Sequence, residues 1–178
     1  MNGAKNEKGN SSVSAVGNKK WHIGLGMGIT ALVVIGVIGM ARHKKKIKID
    51  LSRFDSPDQK GSGKCMDREL LKKLHQLAKV TRLPIFEMIN SGARSSYWNT
   101  KVGGVSNSSH KIPICKAVDI KAPTTAIRNK IVWAAKQVGF KRIGVGKTFV
   151  HLDTDETKKQ YVAWGYPSGT TPPINPFV

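Results

Sequence analysis

Acidic side chains are scarce in this chain: 30 Lys and Arg stand against 11 Asp and Glu, a formal net charge of +19 over 178 residues. The imbalance excludes an acidic solvating protein and directs attention to anionic partners, because phosphate backbones, acidic lipids and wall polymers all respond to the same field. Cysteine is scarcer still, with only Cys65 and Cys115, which excludes a disulfide framework and a Cys-rich metal site. The pair is open to two readings, a single bridge or two free thiols. Aromatic residues are 7% of the chain and are not interleaved with the basic ones as a stacking platform requires. With no zinc-finger or RNA-binding motif either, nucleic acid is not expected as a partner. No His-Glu-x-x-His helix occurs to set two metal ligands in advance, and no internal repeat is visible.

The length fits one domain with appendages. Residues 1–20, rich in Asn, Ser, Gly and Lys, have too few apolar groups to offset ordering entropy and are expected to be disordered. From Ile23 to Ala41 no charge occurs, and at about 1.5 Å per residue that run nearly matches a hydrocarbon core roughly 30 Å thick. A transmembrane helix is therefore expected over 21–42, with Trp21 at one interface and Arg42, Lys44, Lys45, Lys46 and Lys48 at the other. A cleaved signal peptide competes, but Arg-His-Lys-Lys-Lys follows the run instead of small residues, which favours retention. The flanking charges alone would put the C-terminal side in the cytoplasm. Gly24 and Gly28 form a GxxxG pair that could support a weak helix-mediated dimer. A basic linker is expected over 43–64, the working domain over 65–166, and an extended tail over 167–178.

Within the domain, Leu70, Leu71, Leu74, Leu77 and Ala78 recur at helical spacing after Asp67, a ready N-cap, so a helix is predicted over Met66–Arg82. His75, among its lysines, reads as a surface residue. Ile85–Ile89 reads as a short strand leading into the loop of Ser91, Gly92, Ala93 and Arg94. A second helix is predicted over Thr125–Val138 with Gly139 as terminator, followed by strands at Arg142–Val145 and Phe149–Asp153 around Gly146 and Lys147.

His110, Asp119, His151 and Asp153 lie on or beside apolar segments in a region holding few other acids. A buried carboxylate inside the strand-like Ala117–Ile120 needs a cation, a donor or a metal, and position alone leaves a salt bridge and a metal equally open. His151 and Asp153, two apart on a strand, leave the same face of the sheet. Two histidines and one aspartate make a three-ligand zinc set with the fourth position open, the catalytic arrangement.

The stretches Ser91-Gly-Ala-Arg94-Ser-Ser, Val102-Gly-Gly-Val-Ser-Asn-Ser-Ser-His110, Lys116-Ala-Val-Asp119-Ile and Gly144-Val-Gly, then Phe149-Val-His151-Leu-Asp153, resemble in order the zinc D-Ala-D-Ala carboxypeptidase family. That family includes vancomycin-resistance dipeptidases and phage endolysins, and its fold is related to hedgehog signalling domains. The similarity runs over roughly 54–166, and Phe54-Asp-Ser-Pro-Asp with Gly61-Ser-Gly looks most like short phage-encoded members. The resemblance implies one Zn2+ held by His110, Asp119 and His151, with Arg94 binding the substrate carboxylate or oxyanion. Two departures stand out. Eight residues separate His110 from Asp119 where the family usually has six, so the loop must bulge, and Thr148 occupies the position of the usual general base. Asp153 is then the candidate base, or else the orienter of a zinc ligand, with Asp155 as fallback.

The expectation is an α+β domain, a small and mainly antiparallel sheet with helices packed on one side. It would hydrolyse peptide stems of bacterial peptidoglycan as a single-pass membrane protein of a phage virion or the host inner membrane. The alternatives are a cellular wall-remodelling carboxypeptidase and a non-catalytic, zinc-containing wall-binding module.

Overall fold

A computed structural model describes residues 49–178. The segments read as disordered (1–20) and transmembrane (21–42), with the GxxxG pair and the first part of the linker, lie outside the described residues. Among the described residues no helix is long and apolar enough to cross a membrane.

Helix α1 spans Arg68–Thr81, and the Asp67 carboxylate accepts from the Leu70 amide at 2.9 Å, as an N-cap does. Leu70, Leu74 and Leu77, four and three residues apart, form its buried stripe, each contributing about 2 kcal/mol by burial. The helix stops where Arg82 turns left-handed at φ 56°. Helix α3 spans Thr125–Gln137 behind a Thr124 cap, buries Ile131, Val132, Ala134 and Ala135, and is followed by Gly139 at φ 86°. Between them sits a six-residue helix, α2, Ser96–Lys101, capped by Ser95. Sequence periodicity gave no sign of it because its buried residue is polar, Asn99.

Five strands form one mixed sheet: β1 Ile89–Ser91, β2 Ala117–Lys121, β3 Arg142–Val145, β4 Phe149–Asp153 and β5 Val162–Gly165, in the order β1-β2-β4-β3-β5. All neighbours are antiparallel except β3 and β5, which run parallel. The α+β class and the mainly antiparallel sheet were expected; β5 was not. The strand expected from Ile85 begins only at Ile89, because the Pro84 carbonyl accepts from the amides of Glu87 and Met88 and holds that stretch as a turn.

Strand alternation sorts the sheet into two faces. Val118, Ile120, Ile143, Val145, Val150 and Leu152 are buried in one core with Leu70, Leu74, Leu77 and Ile131 of α1 and α3. The opposite face carries a row one residue wide, given by the register Ser91↔Asp119↔His151↔Gly144↔Trp164. The polar residues that looked costly inside apolar strands therefore share a single side of the sheet.

The linker expected over 43–64 belongs, from Ile49 on, to the folded domain. Two 3-10 turns, Leu51–Phe54 and Ser62–Cys65, are tied together by Asp55, which accepts from the amides of Gly61 and Gly63. Phe54 is fully buried, and its carbonyl accepts from the Ala93 amide at 2.8 Å. The tail is likewise not a free arm, because Ile174 and Phe177 pack against the core. Of the two cysteine readings, the structure has the bridge: Cys65 and Cys115 are disulfide-bonded, with Cα atoms 5.8 Å apart. The neighbouring bond from the Asp67 amide to the Cys115 carbonyl holds the same two segments together.

Candidate metal centre

His110 comes from a loop, Asp119 from the middle of β2 and His151 from the middle of β4. Asp119 and His151 are cross-strand partners, so the pleat alone places them side by side. His110 is brought in by a short parallel bridge between Arg94 and Lys111, where the Arg94 amide donates to the His110 carbonyl and the Ile112 amide to the Arg94 carbonyl. The two extra residues of the His110–Asp119 loop are absorbed in a turn. The Cys115 amide reaches back to the Lys111 carbonyl, and the Lys116 amide closes the loop on the Ser109 carbonyl at 2.8 Å.

Each imidazole is pinned by its outer nitrogen. His110 Nδ1 lies 2.7 Å from the Gly92 carbonyl, which can only accept, so that nitrogen carries the hydrogen. His151 Nε2 lies 3.1 Å from Asp153 Oδ2, a carboxylate that likewise accepts. With His151 neutral, the remaining nitrogens, His110 Nε2 and His151 Nδ1, face each other as lone pairs at 3.1 Å, with Asp119 Oδ1 at 3.3 Å and 2.9 Å from them. Three acceptors closed into a triangle are mutually repulsive unless a cation sits among them. A tetrahedral ion with bonds of roughly 2.0–2.1 Å separates its ligand atoms by about 3.3 Å. The edges observed lie at or slightly inside that spacing, so the donor set fits a zinc-like cation. All three residues are at most 8% exposed.

The charges respond accordingly. Burial alone would raise the Asp119 carboxyl, but the two imidazoles hold it well below the usual range. Burial pushes His110 down. In His151 burial works against the charged ring, yet the hydrogen bonds to Asp119 and Asp153 prevail and raise it to about 9. The metal-free cluster thus keeps one proton where the cation would sit.

Around the triangle lies a layer of orienting groups. Arg94 donates from Nη2 to Asp119 Oδ2 and from Nε to Ser91 Oγ at 2.9 Å. The salt bridge and the metal were open alternatives for Asp119; Oδ2 takes the salt bridge to Arg94, and Oδ1 faces the two imidazoles. Arg94 lies at the cluster with Nη2 engaged on Asp119 and Nε on Ser91. Asp153 is on the far side of His151 from the triangle. It accepts from His151, from Arg142 Nε at 2.8 and 3.1 Å and from the Asp155 amide. Asp153 was expected as the base or else as the orienter of a ligand; in the structure both its oxygens are engaged, Oδ2 on His151. Asp155 bonds Ser109 and Thr157. His75 stays out of the cluster.

A cleft of about 760 Å³ opens over the site. Its walls include Arg94, Val105, Arg142, Trp164 and Tyr166, and its carboxylates among the described residues are Asp119 and Asp153. Sequence reasoning missed three residues here. Arg142 was read only as a strand start, and Trp164 and Tyr166 were given no role. A glycine, Gly144, lying between His151 and Trp164 in the row, was the available signal. With no side chain there, the indole reaches across to 5.4 Å from the His151 ring and lies 5.2 Å from the Arg142 guanidinium. Gly92 is a second signal. A Cβ there would meet Phe54 at 2.6 Å, so the close approach of the N-terminal segment sets the carbonyl that pins His110.

No curated protein matches this chain. A family model described as Peptidase M15 matches residues 36–153, ending on the strand that carries His151 and Asp153. M15 peptidases are zinc-dependent, and the buried His-Asp-His cluster is a donor set that could bind the metal. With two thirds of its length matched, and with the three donors converging on the polar face of the sheet, the chain belongs to the M15 peptidase family.

Proposed function

We propose that this chain hydrolyses peptide bonds in the stem or cross-bridge of bacterial peptidoglycan, using one zinc ion held by His110 Nε2, Asp119 Oδ1 and His151 Nδ1. The observation that carries the reading is the triangle of three buried acceptors, each already oriented by a second group. When bound, zinc would supply Lewis acidity, activating a water and polarising the scissile carbonyl. The chain's own residues do the rest. Gly92 and Asp153 fix the tautomers, Arg94, itself held by Ser91, grips the outer oxygen of Asp119, and Arg142 holds the Asp153 carboxylate toward His151. Arg94 Nη1 remains for a substrate carboxylate, a task its planar fork suits.

The cell-wall target draws on the family and on the charge of +19, which would concentrate the protein on anionic wall material and lose its grip as salt rises. Phage origin and a role in a virion or in lysis are part of the same proposal, motivated by Phe54-Asp-Ser-Pro-Asp. So is membrane anchoring through 21–42, whose uncharged run fits a bilayer. The Cys65–Cys115 bridge favours an oxidising compartment for the domain, outside the cytoplasm and against the flanking-charge rule.

The test is incubation of purified sacculi with the zinc-loaded protein and assay of new amino groups, with muropeptides identified by mass spectrometry. Wild type should release amines and His151→Ala none; equal release by both would remove the site from the reaction. The non-catalytic wall-binding module has one observation in its favour, that both carboxylates of the cleft are already engaged. That module would bind sacculi and release nothing.

A further inference from the structure

Tyr166 follows β5, whose parallel pairing Val145↔Gly165 brings it to the cleft wall beside the metal cluster. Its ring packs on Phe149 with centroids 4.7 Å apart, which limits how far it can swing. Its hydroxyl lies over Gly144, 2.8 Å from where a Cβ would stand, and the Trp164 ring lies 2.9 Å from the same point. Gly144 is the register partner of His151, so the space left by its missing side chain is filled by a phenol hydroxyl next to a metal ligand.

Apart from Arg94 Nη1, set toward a substrate carboxylate, the charged side chains of this cleft are engaged within the protein. Arg94 holds Asp119 and Ser91; Arg142 holds Asp153 and the Lys159 carbonyl; Lys158 donates to the Asn107 carbonyl at 2.7 Å. The Tyr166 hydroxyl donates to no acceptor among the described residues, and 37% of the residue is exposed. A neutral donor held rigidly beside a cation site has its greatest value where negative charge appears only during reaction.

We propose that the Tyr166 hydroxyl is the hydrogen-bond donor to the substrate oxygen that becomes negative when the amide is attacked, and that position 144 is glycine to admit that hydroxyl. This rests on the hydrolase reading above. In the step, the water oxygen bonds to the carbonyl carbon while the C=O π pair moves onto oxygen. On collapse that pair re-forms the carbonyl, the C–N bond breaks, and the amine leaves with a proton from the water. Tyr166 keeps its own proton throughout and lowers the energy of the oxyanion.

The experiment uses the zinc-loaded full chain and soluble muropeptides released from sacculi by a muramidase. Tyr166→Phe keeps the ring on Phe149 and removes one oxygen. It should lower kcat by roughly 100-fold, the usual cost of one oxyanion donor, with KM within about twofold, and zinc content and Tm unchanged. A phosphinate pseudopeptide, which mimics the tetrahedral oxyanion, should bind the variant weaker by a similar factor, while the product peptide binds both proteins alike. Gly144→Ala, whose Cβ would stand 2.8 Å from the hydroxyl and displace it, should also lower kcat. A Tyr166→Phe kcat within threefold of wild type overturns the inference, and a Gly144→Ala kcat within threefold overturns the role of Gly144. If wild type cleaves no amide, the hydrolase reading fails by itself; the phosphinate titration still decides Tyr166, equal binding by the two proteins refuting it.

Discussion

Zinc and a proton should compete for one place in this protein, and the competition can be measured. The perturbation is pH. In the metal-free cluster His151 is raised to about 9 because its two ring nitrogens lie between Asp119 and Asp153, while His110 is pushed down by burial and Asp119 stays ionised. At neutral pH the triangle therefore holds one proton, on His151 Nδ1, and a cation that needs that lone pair must expel it. Apparent zinc affinity should then rise about tenfold per pH unit until pH nears 9 and flatten above, close to a hundredfold between pH 6 and pH 8. Calorimetric titration with zinc in two buffers of different ionisation enthalpy at pH 7 should report close to one proton released per ion. The sign for stability follows from the same shift. A raised imidazole stabilises the metal-free fold fully below its unfolded value near 6.5, and the contribution is lost as pH climbs through about 9. The metal-free protein should thus unfold more easily at pH 9.5 than at pH 6.5. An affinity independent of pH, with no proton released, would refute the tautomer assignment on which the donor triangle rests.

Three other outcomes are expected. Asp153→Asn should weaken zinc binding by about 10–100-fold, the usual effect of removing an orienting partner, read by competition with a chromogenic chelator; unchanged affinity with kcat abolished would instead identify Asp153 as the base. Reducing the Cys65–Cys115 bridge, which closes a separation of 50 residues, should cost about 4 kcal/mol by loop-closure entropy, and an unchanged urea midpoint with and without reductant would contradict that. Phe54→Ala should destabilise the domain by about 3–5 kcal/mol and also lower zinc affinity, since Phe54 backs the loop whose Gly92 carbonyl pins His110. Loss of stability at full metal affinity would uncouple the two.

Much of this was legible before any coordinates. Asp67, the leucine spacing and Gly139 marked α1 and α3 to within two residues, because caps and terminators are local chemistry. Strands β3 and β4 were read to their ends, and His110, Asp119 and His151 were picked out by a resemblance that the convergence of their side chains agrees with. What escaped depends on contacts distant in the chain. Strand β5 exists only because β3 offers it an edge, and nothing within Val162–Gly165 announces that pairing. Phe54 looked like part of a linker because its burial depends on Gly92, some forty residues on. Whether Cys65 meets Cys115 is likewise a matter of where α1 begins relative to β2, which two isolated cysteines cannot reveal.

The two histidines are secured by unlike means, and the difference bears on how the centre can change over time. The acceptor gripping His110 is a main-chain oxygen at Gly92, which no codon change can delete; only a shift of the surrounding backbone could weaken it. The acceptor gripping His151 is a side chain, removable by a single substitution at Asp153. One half of the centre is thereby insulated from mutation, and the other is a dial on which selection can set how basic the ligand is and how firmly the ion stays.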